Sequence, residues 1–241
     1  MSDVADSLPP SAAFPSAAWS FPQRLIAVFT KPRALFEHLA ERPSWLLPFL
    51  LMLVAAALFV AFTWTNAWMP EITAKMEEQG AGGQGMEFME KNGMLLYSCL
   101  IPVFGAVFTL LYGAAVMFTS SFVLGGRMNF KQALSLTTHA GLVGLVALPI
   151  RILLANAAAS PRVTLGPGAL LPMAQQEGFA MKFLAGFLQS FDLFTLWQTA
   201  LVGLGVSIIA RIPLQKSMVA MFGLFLVFSL LGALIGAVSG G

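Results

Sequence analysis

Long uncharged apolar runs separated by short polar turns set the pattern of this chain. Trp45 to Trp64 is twenty residues without a charge, and at about 1.5 Å per residue such a helix matches a hydrocarbon core of about 30 Å. Trp45, Trp64 and Trp68 bracket the run, as indole rings favour both edges of a bilayer, and Pro48 falls in its first turn, where a lost amide donor does little harm. Gly93 to Leu124 is also uncharged but too long for one straight crossing. It predicts a tilted span at about 98–124, or one that begins beyond Pro102 after an interfacial lead-in. Further runs predict crossings at about 133–156, 192–210 and 217–238. The expected fold is all-α, a polytopic membrane helical bundle of five transmembrane helices occupying 45–238.

The segments between the runs have their own signatures. Residues 1–20, with Pro9, Pro10 and Pro15 among small polar residues, lack the apolar content to offset chain ordering and predict a disordered tail. Asp3 and Asp6 stand where a secretory signal needs basic residues, so the first hydrophobic run is expected to remain in the mature protein. Over 21–44, aromatic and aliphatic residues mix with Arg24, Lys31, Arg33 and Arg42. This predicts a basic amphipathic interfacial segment of one or two short helices, broken by Pro32 near Thr30; a connector packed on the bundle is the alternative. Asn66 to Asn92 reads as an acidic, mobile loop, with Glu71, Glu77, Glu78, Glu87 and Glu90 around Gly80-Ala81-Gly82-Gly83. Gly125 to Lys131 and Arg211 to Lys216 are short basic turns, and Phe179, Phe183 and Phe187 predict a surface helix leading into the fourth span.

Composition sharpens the membrane reading. Of 241 residues, 58% are hydrophobic and 10% charged, against about 45–50% and about 25% in soluble domains. A surplus of that size has no place in a water-facing shell. The net charge of +2 is scattered, so nothing forms the basic footprint that nucleic acid requires. Basic residues divide unevenly between the two sides: eight (Arg24, Lys31, Arg33, Arg42, Arg127, Lys131, Arg211, Lys216) against four (Lys75, Lys91, Arg162, Lys182), with Arg151 inside the third span. Because basic loops stay cytoplasmic, the N-terminus is expected inside and the C-terminus outside.

Catalytic material is sparse. The chain has no HExxH, GxSxG or GxxxxGK[ST] signature, its single Cys99 excludes an intrachain disulfide or CxxC site, and His38 and His139 are its only histidines. No metal site, cofactor or catalytic residue is therefore expected. His139, after Thr137 and Thr138, is the conspicuous intramembrane polar residue, either functional or tying helices together by hydrogen bonds. Arg151 and Asp192, both expected toward the outer side, are candidates to pair as a clamp. Gly203 and Gly205, with Gly232, Gly236 and Gly240, are candidate helix-packing positions, equally compatible with one bundle and with a homo-oligomer.

Three local sequences then carry a resemblance: Pro32 and Phe36 ahead of Pro43-Ser44-Trp45-Leu46-Leu47-Pro48, the run from Gly125-Gly126-Arg127-Met128-Asn129-Phe130 to Leu134, and Phe191-Asp192-Leu193-Phe194-Thr195-Leu196-Trp197. From about Phe21 to Val238 the chain resembles the Yip family of Rab-interacting, five-span membrane proteins. It lacks the long acidic cytosolic region of the eukaryotic members and looks like a compact prokaryotic one, so GTPase binding is not carried over. Uncharged spans with few polar groups at depth favour helix association over substrate handling. The expected protein is therefore a non-enzymatic scaffold or partner-binding element of this type in a prokaryotic inner membrane, meeting the lipid bilayer and a membrane-protein partner or its own copies, with its basic N-terminal segment facing cytoplasmic partners or anionic lipids. A small transporter or channel subunit, with His139, Arg151 and Asp192 lining a path, is the alternative.

Overall fold

A computed structural model describes residues 19–80, 83–171 and 178–238. Gly240 and the expected tail up to residue 18 lie outside them. Among the described residues every regular element is helical. Two short helices, α1 (Phe21–Thr30) and α2 (Pro32–Glu41), precede α3 (Leu46–Thr63), which runs through a wide π turn at Trp64–Trp68 into α4 (Met69–Glu78). The long α5 (Gln84–Phe118) ends in a second π turn, Thr119–Val123, and α6 (Phe130–Gly141) and α7 (Gly144–Ala158) follow. A short 3₁₀ turn at Pro167–Leu170 leads to α8 (Phe179–Gln189), α9 (Leu193–Ile209) and α10 (Leu214–Val238).

Three continuous helices are long and apolar enough to cross a membrane: Leu46–Glu78, Gln84–Val123 and Leu214–Val238. Two further pairs meet the same standard together, α6 with α7 bent by 45° and α8 with α9 bent by 59°, so the bundle has three to five candidate crossings. In the stretch 66–92, expected as a loop, the described residues are helical except at the turn residues Gln79, Gly80 and Gly83. Its acidic residues help to explain this: Glu71 pairs with Lys75 and Glu87 with Lys91 one turn apart, and Glu87 stands in the first turn of α5, where the helix dipole favours a negative charge. The apolar helices therefore project past the hydrocarbon length as polar extensions.

The bends follow from local chemistry. Between α6 and α7 the amides of Leu142, Val143, Leu145 and Val146 reach back only three residues, and Pro149 withholds the donor that would have bonded Leu145. Between α8 and α9 the amides of Ser190 and Phe191 make the same short reach, and Asp192 restarts the helix as its N-cap. Contacts with α10 show how the second pair lies. Gly203 in α9 packs on Met218, Phe191 stacks edge-on against Phe225 at 5.4 Å, and Gly186 in α8 faces Ala233. The pair thus follows α10 along most of its length, and α8, expected as a surface helix, is half of that path.

Two faces result. The first carries α1, α2 and the turns at 124–129 and 210–213; the second carries the end of α4, 159–171 and the end of α10. The apolar side of the α1–α2 hairpin is spent on the bundle. Val28, Leu35, Phe36 and Leu39 are fully buried in one cluster with Val116, Leu136, Val143, Val206 and Met221. Outside this cluster the long helices expose Phe104, Leu111, Phe122, Leu153 and Ile235, the surface expected where the solvent is lipid.

Candidate functional site

On the first face, α6 is buried throughout Ala133–Val143 and holds the N-terminal hairpin by side-chain bonds. Asn129 caps it: its Oδ1 accepts from Gln132 N at 2.9 Å, while the Gln132 side chain accepts from Asn129 N at 3.0 Å. Gln132 Nε2 also donates to Ala40 O at 2.8 Å, fixing the end of α2. Ser135 Oγ donates to Ser44 O and accepts from Ser44 N, both at 3.0 Å, which locks the link between α2 and α3. One turn further, His139 is fully buried, with Nδ1 at 2.8 Å from Ser135 O. Its Nε2 and the Nε of Arg24 are buried with no hydrogen-bond partner among the described residues.

Arg24 differs from the other three basic residues of this segment. It is turned under α1, with its guanidinium carbon 5.9 Å from the centre of the Phe21 ring, whereas Lys31, Arg33 and Arg42 are exposed. His38 stacks on Trp19 at 5.3 Å. Burial pushes its imidazole below the usual range, the Arg24 and Arg42 charges push the same way, and Glu41 opposes them.

The second node joins α7 to α9. Arg151 Nη2 stands 3.1 Å from Asp192 Oδ2, the same oxygen that accepts from Leu165 N at 2.9 Å, while Asp192 Oδ1 accepts from Phe194 N at 2.9 Å. One carboxylate thus caps α9, ties down the segment after α7 and meets the guanidinium of α7. Thr164 Oγ1 donates to Gln189 O at 3.1 Å alongside. Gly166 makes this approach possible, because a Cβ there would run into the Phe191 carbonyl. The neighbour Phe191 touches Phe225, about 17 Å along α10 from Leu214 at the helical rise, and the pair lies where α7, α9 and the segment after α7 meet. Toward the second face a cavity of about 570 Å³ opens, with Glu71, Arg162, Thr164 and Gln189 in its wall; there Arg162 Nη2 meets Glu71 Oε1 at 2.7 Å.

His139 is not brought to the Arg151–Asp192 pair; its charged and titratable neighbours are Arg24 and His38. Among the glycines, Gly203 closes on Met218 and its carbonyl accepts from Ser217 Oγ at 2.9 Å, and Gly205 closes on Leu136. A Cβ at Gly232 or Gly236 would meet nothing within 4 Å, so close approach inside the bundle does not depend on them. Sequence reasoning missed Ser135 and gave Gln132 and Ser44 no role beyond the short runs that contain them. The Asn129-x-x-Gln132 spacing was a readable cap signal, but nothing local announces a Ser44–Ser135 contact across 91 positions.

The three short sequences singled out at the start build these two nodes: Phe36 and Ser44 dock on α6, the Gly125–Leu134 run builds its cap and turn, and Asp192 holds Arg151 in the second. These helices and nodes define a multi-pass integral membrane protein. The profile of the Yip1 domain matches residues 26–236, and the chain belongs to that family. It is similar to the membrane protein YknW of Bacillus subtilis (strain 168), with 25% identity over 225 residues covering 90% of this chain and 92% of that protein. No solved structure matches the chain significantly.

Proposed function

We propose that this Yip1-family protein crosses a prokaryotic inner membrane five times, N-terminus inside and C-terminus outside, and acts without catalysis as a scaffold that binds a membrane-protein partner. The observation that carries this reading is the division of charge. Asp192 is spent on Arg151 and two backbone amides, while Lys31, Arg33 and Arg42 stand exposed on a hairpin fixed to the bundle, Arg33 beside Glu37 at 3.1 Å. A pair engaged in this way supports a clamp, and a rigid, outward basic edge supports recognition of an acidic partner or anionic lipid at the cytoplasmic surface. The excess of basic residues on the first face supports the orientation.

Quantitative affinity capture from mild detergent tests it, comparing the wild type with a triple Lys31→Glu, Arg33→Glu, Arg42→Glu variant. The expected result is a reproducible membrane partner lost from the variant while the bundle stays folded. Capture unchanged by the reversal, or solute flux in liposomes abolished by Asp192→Asn, would overturn the scaffold reading.

A further inference from the structure

Between α5, α9 and α10 lies a cavity of about 260 Å³ that none of the nodes above uses. Its walls are the rings of Phe108, Tyr112 and Phe228, and its polar edge is formed by Thr195, Gln198 and Ser229. Phe108 and Tyr112 lie nearly parallel, 4° apart, and both meet Phe228 edge-on with ring centres 5.7 Å away. Phe228 stands about 21 Å along α10 from Leu214, which places the cavity away from both ends of a helix long and apolar enough to cross a membrane.

Polar groups at that depth normally bond within the protein, as two neighbours do: Ser190 Oγ donates to Gly186 O and Thr199 Oγ1 to Thr195 O. Tyr112, Thr195, Gln198 and Ser229 line the cavity, and their side chains make no hydrogen bond among the described residues. Leaving them unmet in lipid costs free energy, and no charged side chain lines the space. An ion or phosphate headgroup is therefore a poor fit. A neutral head with hydroxyl or carbonyl oxygens is matched by the Gln198 amide and the hydroxyls, and a flat one also by the ring walls.

We propose that this cavity binds the uncharged, oxygen-bearing head of a lipid-soluble molecule, a quinone-type ring or an isoprenoid alcohol, whose tail stays in the bilayer beside α5 and α10. The test is equilibrium binding to the full chain in mild detergent, with a short-chain ubiquinone and farnesol as probes and phosphatidylglycerol as the charged control. One probe per protein is expected. Retention of ubiquinone alone assigns a ring carbonyl, and of farnesol alone a hydroxyl. Gln198→Leu should weaken the retained probe at least tenfold, and Tyr112→Phe, which removes one oxygen and keeps the ring, should weaken it several-fold at an unchanged melting temperature. Failure of both probes to bind above the phosphatidylglycerol control, or binding indifferent to both variants, would overturn the proposal.

Discussion

Asp192 shows how much structure one side chain can organise. Its two oxygens take two backbone amides and one guanidinium, joining α7, the segment after it and α9. Asp192→Asn would leave Arg151, which is 34% exposed, facing an amide, so the cost falls below the about 3–5 kcal/mol of breaking a fully buried pair. A clearly lower melting temperature in detergent is expected, with the membrane topology unchanged; an unaltered melt would count against the clamp. Arg151 and Asp192 were legible as candidates because charges inside apolar runs stand out. The packing around them was not legible, because Phe179 to Gln189 is apolar enough for either a surface helix or half a crossing, and only the structure brings Phe191 to Phe225 and Gly186 to Ala233 on α10.

At the scale of elements, the α1–α2 hairpin was visible in the sequence as two short helices around Pro32. What was invisible was the partner for its apolar side, since amphipathicity specifies a buried face without naming lipid or protein as the cover. The structure places Leu35, Phe36 and Leu39 against α6 and α9. Phe36→Ala should cost about 3–5 kcal/mol, the usual range for emptying a core phenylalanine. Hydrogen exchange over 21–41 should then rise sharply, and protection equal to the wild type would contradict docking through that ring.

Docking should also weaken in acid. Burial, Arg24 and Arg42 hold the folded His38 below its ordinary value, so the undocked imidazole takes up a proton more readily. The hairpin is accordingly held most firmly above about pH 6.5 and is expected to loosen as pH falls through that value. Proteolytic release of the N-terminal segment, compared at neutral and mildly acidic pH, should show this, with a smaller difference in His38→Gln. An equal difference in that variant would mean that other groups carry the effect.

For the molecule as a whole, bulk composition already demanded a bilayer, and the apolar runs located most of the helical mass. The polar extensions of α3–α4 and α5 beyond the membrane were hidden, because Glu, Lys and Gly in 66–92 suggest a loop until the one-turn pairs Glu71–Lys75 and Glu87–Lys91 are seen to support helix. The central claim is that each bent pair traverses the membrane as one crossing. Single-cysteine labelling in a Cys99→Ser background tests it with an impermeant maleimide on intact cells, and Phe179→Cys is the decisive position. Five crossings place Phe179 outside with Gln84, so both Phe179→Cys and Gln84→Cys should label at once, whereas Lys31→Cys, Arg127→Cys and Lys216→Cys should label only after permeabilisation. Phe179→Cys labelling with the second group would mean that the bent pairs turn back, and the account would fail.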